Sequence, residues 1–125
     1  MSKVENKIFE DAYFDLLVEE RVALFEEELE NPEKVDELLS KMRKEEVVFM
    51  NKDVSVIRPL FTKKDGPKLY YVVPTDKNKS KVKVVADPTN KTLEFSADGK
   101  ELSPEEFKKM ANDLKMGDFD FGIAA

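Results

Sequence analysis

The sequence predicts an α+β domain: two N-terminal helices, a four- to five-stranded and mainly antiparallel sheet, one C-terminal helix and a short tail. Three observations predict it. Apolar residues recur every three to four positions before residue 45, and about every second position from Glu45 to Ser96. "SPEEF" at Ser103–Phe107 then carries the opening signature of a further helix. At 125 residues the chain fits one domain, divided as 1–44 helical and acidic, 45–102 antiparallel meander, 103–117 C-terminal helix and 118–125 tail.

The first helix is expected from Ile8 to about Glu30. Phe9, Tyr13, Leu16, Leu17 and Leu24 form one stripe, and Val18, Val22 and Phe25 broaden it, which predicts cover on more than one side. Pro32 ends that helix and starts the next, with Asn31 as N-cap and Glu33 at the positive end of the dipole. Val35, Leu38, Leu39 and Met42 mark the buried face of the second helix. Lys41, Arg43 and Lys44 fall in its last turn, where cations are favoured.

Strand-like runs follow: "EEVVFM", "VSVIRPLF", "KLYYVVP", "KVKVVAD" and "KTLEF", separated by turn residues at Asn51-Lys52-Asp53, Asp65-Gly66-Pro67, Asp76-Lys77-Asn78 and Asp87-Pro88-Thr89-Asn90. Pro59 inside the second run predicts an edge strand or a bulge. In the last helix Ser103 and Glu106 are spaced for a capping box, Phe107, Met110, Ala111 and Leu114 form the apolar stripe, and Gly117 is placed to cap the end.

Composition excludes much chemistry. The chain has no Cys and no His, so thiolate catalysis, disulfides and the commonest general base and metal ligand are all absent. Only four Gly occur, too scattered for a phosphate cradle or a nucleophile elbow. The carboxylate pairs Glu19-Glu20, Glu26-Glu27-Glu28, Glu45-Glu46 and Glu105-Glu106 read as solvated helix surface rather than as an acid and base facing one another across a cleft. Asp118-Phe119-Asp120 resembles a minimal Asp-x-Asp cation site but supplies too few oxygens by itself. Neither an enzyme activity, a cofactor nor a metal is therefore expected. The opening Met1-Ser2-Lys3-Val4-Glu5 is polar and no apolar run approaches a membrane span, so a cytoplasmic location without membrane contact is expected.

Charge is uneven. Residues 1–50 hold 15 acidic and 7 basic side chains, and the remainder hold 12 and 14, so a net of −8 is followed by +2. An acidic front disfavours nucleic acid and suits a basic protein partner. The expected function is a non-enzymatic protein-binding module, one concrete form being an acidic inhibitor, or an immunity- or phage-type antagonist, of a basic partner. Glu26, Glu27 and Glu28 are its candidate partner-binding residues, together with Phe119 and Phe121 of the tail.

The tail, "DFDFGIAA", allows three readings: a terminal strand docking Phe119, Phe121 and Ile123 on the core, a mobile peptide for a partner, or a degradation mark. It resembles the acidic, Phe-bearing tips of bacterial single-strand-binding proteins, and its Ile-Ala-Ala ending is similar to the Leu-Ala-Ala read by bacterial AAA+ proteases. The alternative function lies in residues 63–83, where seven Lys face two Asp and flank Tyr70 and Tyr71. Lys68, Tyr70, Tyr71 and Lys81 are its candidates for holding a nucleic acid or a small anion, with one tyrosine expected to face solvent. "PLFTKKDG", then a strand and "ADPTNKTLEF", resemble SseB-type domains.

Overall fold

The computed structural model describes residues 3–60, 66–76, 78–117, 119 and 121, with side chains from residue 12 onward. Two compact units divide the chain, at Lys41 and Met42.

The first unit is helical. Helix α1 runs Lys3–Glu30 and α2 runs Pro32–Lys41, and the two pack on one another. Asn31 between them does what its sequence context implies: its side-chain oxygen accepts from the Glu33 amide at 3.1 Å and its carbonyl accepts from Lys34 at 3.0 Å. Phe25, Leu29 and Val35 are the buried apolar side chains here, and Val18 and Val22 are half-buried. The buried line of α1 is thus Val18–Val22–Phe25–Leu29, at steps of four, three and four. The expected stripe is the other one: Tyr13, Leu16 and Leu24 stay exposed, so among the described side chains α1 is not covered on several sides, and Phe9 of that stripe lies outside them. Lys41 closes α2 on Glu37, its ammonium donating at 2.8 Å, which draws the Glu37 pKa down and pushes that of Lys41 up. Both groups lie in open water, where the pair contributes little.

The second unit is a six-stranded antiparallel meander in sequence order followed by one helix. Strands β1 (Val47–Met50), β2 (Val54–Ile57), β3 (Lys68–Pro74), β4 (Val82–Asp87), β5 (Thr92–Ala97) and β6 (Lys100–Leu102) each pair with the next. The sixth exceeds the four to five expected. It is created by Asp98-Gly99, the two-residue link between paired Ala97 and Lys100, with φ of 50° and 82°. Positive φ at both positions is the turn geometry whose twist matches a hairpin, and glycine takes it freely.

Pro59 neither edges nor bulges a strand. Strand β2 ends at Ile57, is paired on both sides, and Pro59 lies buried just beyond it, where a missing N–H breaks no ladder bond. The irregularity sits in β1 instead. Val47 opposes Ile57 and Phe49 opposes Val56, so Val48 is the extra residue, and both Val48 and Phe49 pack against the core.

That core lies on one face of the meander. Val54 and Val56, Tyr70 and Val72, Val82, Val84 and Ala86, and Phe95 present it, and Phe107, Leu114, Met116 and Phe121 cover it. Phe95 and Phe107 stack at 4.0 Å, nearly parallel. The second face of β2 and β3 is also buried, at Ser55, Ile57, Leu69, Tyr71 and Val73.

Helix α3 (Pro104–Asp113) carries the expected capping box: Ser103 Oγ accepts from the Glu106 amide at 3.2 Å, and Glu106 Oε1 accepts from the Ser103 amide at 3.3 Å. Its C-terminus differs from expectation. Lys115, not Gly117, takes the left-handed residue of the cap at φ 56°; the Lys115 amide donates to Asn112 at 3.1 Å and the Met116 amide to Ala111 at 3.0 Å. Asn51 fastens this helix end to the β1–β2 turn. Its Nδ2 donates to the carbonyls of Leu114 and Lys115 at 3.3 and 3.1 Å, and its Oδ1 accepts from the amides of Asp53 and Val54 at 2.7 and 2.9 Å.

Two outcomes follow from these turns. Lys115→Gly removes the steric cost of a left-handed side chain and should stabilise the protein by about 0.5 kcal/mol in urea denaturation, the gain being cut by glycine's own entropy. In the β4–β5 turn, Asp87 accepts from Asn90 Nδ2 at 2.7 Å and from the amides of Asn90 and Thr89, which holds its carboxyl below the usual range, the Asn90 side chain being the main cause. A folded pKa below the unfolded one means that the stabilisation is present above the unfolded pKa and is lost as pH falls through the folded value. NMR titration should find Asp87 ionising at lower pH than an unstructured Asp, and Asn90→Ala should move it back upward.

Candidate functional site

The opening of the chain holds a candidate surface built on α1 alone. Its 28 residues include ten acidic and three basic side chains, a net of −7. Twenty-eight residues at 1.5 Å each make a rod of about 42 Å. Tyr13 and Leu24 are eleven residues apart, close to three full turns, so they lie on one line along the helix, and Leu16 and half-buried Leu17 flank it within about 60°. Tyr13 is 58% exposed, Leu16 52% and Leu24 62%. Glu20 and Glu27 lie along the same line, both exposed. The result is a narrow apolar stripe bordered by carboxylates, on the side of α1 away from its buried line.

The sequence-derived candidates fall in different places. Glu27 and Glu28 are exposed and flank one end of this stripe, whereas half-buried Glu26 lies about 160° round the helix from Leu24. Phe119 and Phe121 belong to the second unit and face its core: Phe121 is 4% exposed, 5.2 Å ring to ring from Tyr70 and 5.6 Å from Phe107. Phe119 is half-buried, 5.3 Å from Phe49 and 4.9 Å from Phe121. Neither Phe119 nor Phe121 belongs to a strand, so these two rings pack without strand pairing. Ile123, and Asp118 and Asp120 of the Asp-x-Asp motif, lie outside the described residues. Among the described residues no group of three His, Cys, Asp or Glu side chains converges as a metal site, and no helix is long and apolar enough to cross a membrane.

The Lys/Tyr candidates do not form a joint patch. Tyr70 and Tyr71 are each 4% exposed, on opposite faces of β3, which corrects the expectation that one faces solvent. The physical reason is position: β3 is an interior strand whose two faces are both covered, so alternation cannot send a side chain to water. Lys68 pairs with Ala86 and Val72 with Val82, so Lys68 and Lys81 stand at opposite ends of the β3–β4 pair, more than about 13 Å apart. Both lysines are half-buried. Lys63, Lys64 and Lys77 of the same basic segment lie outside the described residues.

The α1 stripe was the signal least well interpreted from sequence. Its apolar periodicity was visible, but periodicity reports that a face is apolar and not which of two apolar lines finds cover. Protein-family models, curated proteins and solved structures give no match to this chain, so the resemblance to SseB-type domains stays one of strand–turn segments.

Phe121→Ala should lower stability by about 3–4 kcal/mol, because a fully packed ring is lost at the meeting point of Tyr70, Phe107 and Phe119. Chemical denaturation measures it; an unchanged midpoint would place that ring in solvent.

Proposed function

We propose that this chain is a non-enzymatic protein-binding module that grips its partner with α1, laying Tyr13, Leu16 and Leu24 into an apolar groove rimmed by Lys or Arg. The single observation that supports this reading most strongly is that these three large side chains are more than half exposed on the most acidic segment of the chain. An amphipathic helix set in a groove is a recurring mode of recognition, read through anchors at one helical face. Full burial of one such side chain contributes about 2 kcal/mol, enough for roughly thirtyfold in affinity.

Charge selects the class of partner. A second copy would set a helix of net −7 against another, with Glu20 and Glu27 near the seam, and like charges at close range oppose that pairing. A basic partner relieves the same repulsion. An inhibitor, or an immunity- or phage-type antagonist, that covers a basic site on an enzyme meets these requirements, and a cytoplasmic setting suits a chain without cysteine. The Lys/Tyr alternative has less support, since stacking needs an open ring face and both phenol rings are buried.

Affinity capture with the whole chain, comparing wild type with Leu24→Asp and with Glu27→Lys/Glu28→Lys, tests the reading. A common partner should be retained at low salt by wild type, at least tenfold less by either variant, and progressively lost as salt rises. Melting temperatures should stay unchanged, because these positions are exposed. Equal recovery by all three proteins would remove α1 from the interface. A dimer at neutral pH, dissociated by Leu24→Asp, would replace the basic partner with a second copy.

A further inference from the structure

Two lines of one period run along α1. Val18, Val22, Phe25 and Leu29 follow one another at four, three and four residues and form its buried side. On the opposite side Tyr13, Leu17, Glu20, Leu24 and Glu27 follow at four, three, four and three. A mean step of 3.5 is the period at which two helices keep facing each other, because slight supercoiling absorbs the difference from 3.6. Solvent imposes no such period. From Tyr13 to Glu27 the outer line runs about 21 Å, and all of it is exposed except half-buried Leu17.

The two lines differ in charge. The buried one carries none, whereas the outer one sets Glu20 and Glu27 among its apolar members, seven residues and about 10 Å apart. No Lys or Arg stands three or four residues from either carboxylate, so α1 supplies no counter-charge on that face. Arg21, next to Glu20, points about 100° away. Among the described residues neither carboxylate forms an ion pair. A purely apolar surface laid over Tyr13, Leu17 and Leu24 would strip water from both carboxylates, which is unfavourable unless a cation takes its place.

Resting on the reading of α1 as the gripping element, we infer that what it grips is itself a helix. That helix carries apolar residues facing Tyr13, Leu17 and Leu24 and a Lys or Arg facing each of Glu20 and Glu27, hence two cations seven residues apart. The holes between its side chains form the apolar groove, and its cations form the rim. The spacing also fixes register. Slipping the partner by one layer sets a cation against Leu24 and an apolar side chain against a carboxylate, which disfavours the wrong alignment. A second copy presents carboxylates where cations are required.

The test uses the full chain and three synthetic helical peptides of three heptads, each with Leu at the other seam positions. In the first, two seam positions seven residues apart are Lys. In the second, the same two lysines are moved to the outer face and Gln fills the seam. In the third, the two seam residues are Glu. Fluorescence anisotropy gives the affinities and amide NMR locates the contact. The first peptide should bind at least tenfold more tightly than either other, with saturable shifts at Leu17, Glu20 and Leu24. Glu20→Lys/Glu27→Lys should reverse the order of the first and third peptides at an unchanged melting temperature, since both positions are exposed. Equal binding of the first two peptides at these amides would overturn the facing helix of fixed cation spacing and leave α1 as the gripping element. So would an absence of shifts along α1 with every peptide while affinity capture still depends on Leu24. Capture indifferent to Leu24→Asp as well would overturn both readings.

Discussion

A ten-residue helix cannot by itself cover the apolar face of a six-stranded sheet. Helix α3 is about 15 Å long, whereas five inter-strand spacings make the sheet roughly 24 Å broad. The face presented by Val54, Val56, Tyr70, Val72, Val84 and Phe95 would stay partly wet under the helix alone. The residues that follow the helix supply the missing cover. The left-handed turn at Lys115 reverses the chain, Met116 goes under at 3% exposure, and Phe119 and Phe121 extend the aromatic layer from Phe107 to Phe49 and Tyr70. Two phenylalanines set between aspartates are in this light a lid for the sheet.

Much of this architecture was legible because local chemistry and global fold agree. Asn31-Pro32 and the Ser103–Glu106 box specify helix starts through hydrogen bonds made within four residues, and the structure realises both. The strands were legible from their period. Other features were not, each for a physical reason. Asp98-Gly99 is a strong hairpin signal, but the strand after it has only three residues, too few to show an alternation. Gly117 was the obvious cap, and it does adopt a positive φ of 65°; the cap is nonetheless set by where the last carbonyls find donors, which is two residues earlier at Lys115. The fate of Tyr70 and Tyr71 depended on whether β3 is interior and covered on both faces, a property of the sheet and not of the strand. The candidate surface on α1 was legible as an apolar stripe and as a run of charge, but not as an exposed one.

The two units divide the labour that the charge count hints at. The meander unit concentrates the packing: its core is continuous, aromatic at the helix side and β-branched at the sheet side. Among the described side chains the helical unit buries Phe25, Leu29 and Val35 and leaves Tyr13, Phe14, Leu16 and Leu24 exposed. Residues that contribute little to holding a fold are the ones available for holding something else, and on α1 they are accompanied by a high density of like charge. That density opposes self-association through like-charge repulsion.

Asn51 has a further meaning for the lifetime of the molecule. Its amide uses two donors and two acceptors at once, joining the first hairpin to the far end of α3. Exchange of that one nitrogen for oxygen, the change that hydrolytic ageing of an asparagine brings about, would turn both donors into a carboxylate pressed toward two carbonyl oxygens. A single uncatalysed reaction at residue 51 would thus convert a latch into a wedge at the spot where the chain turns back to close its core.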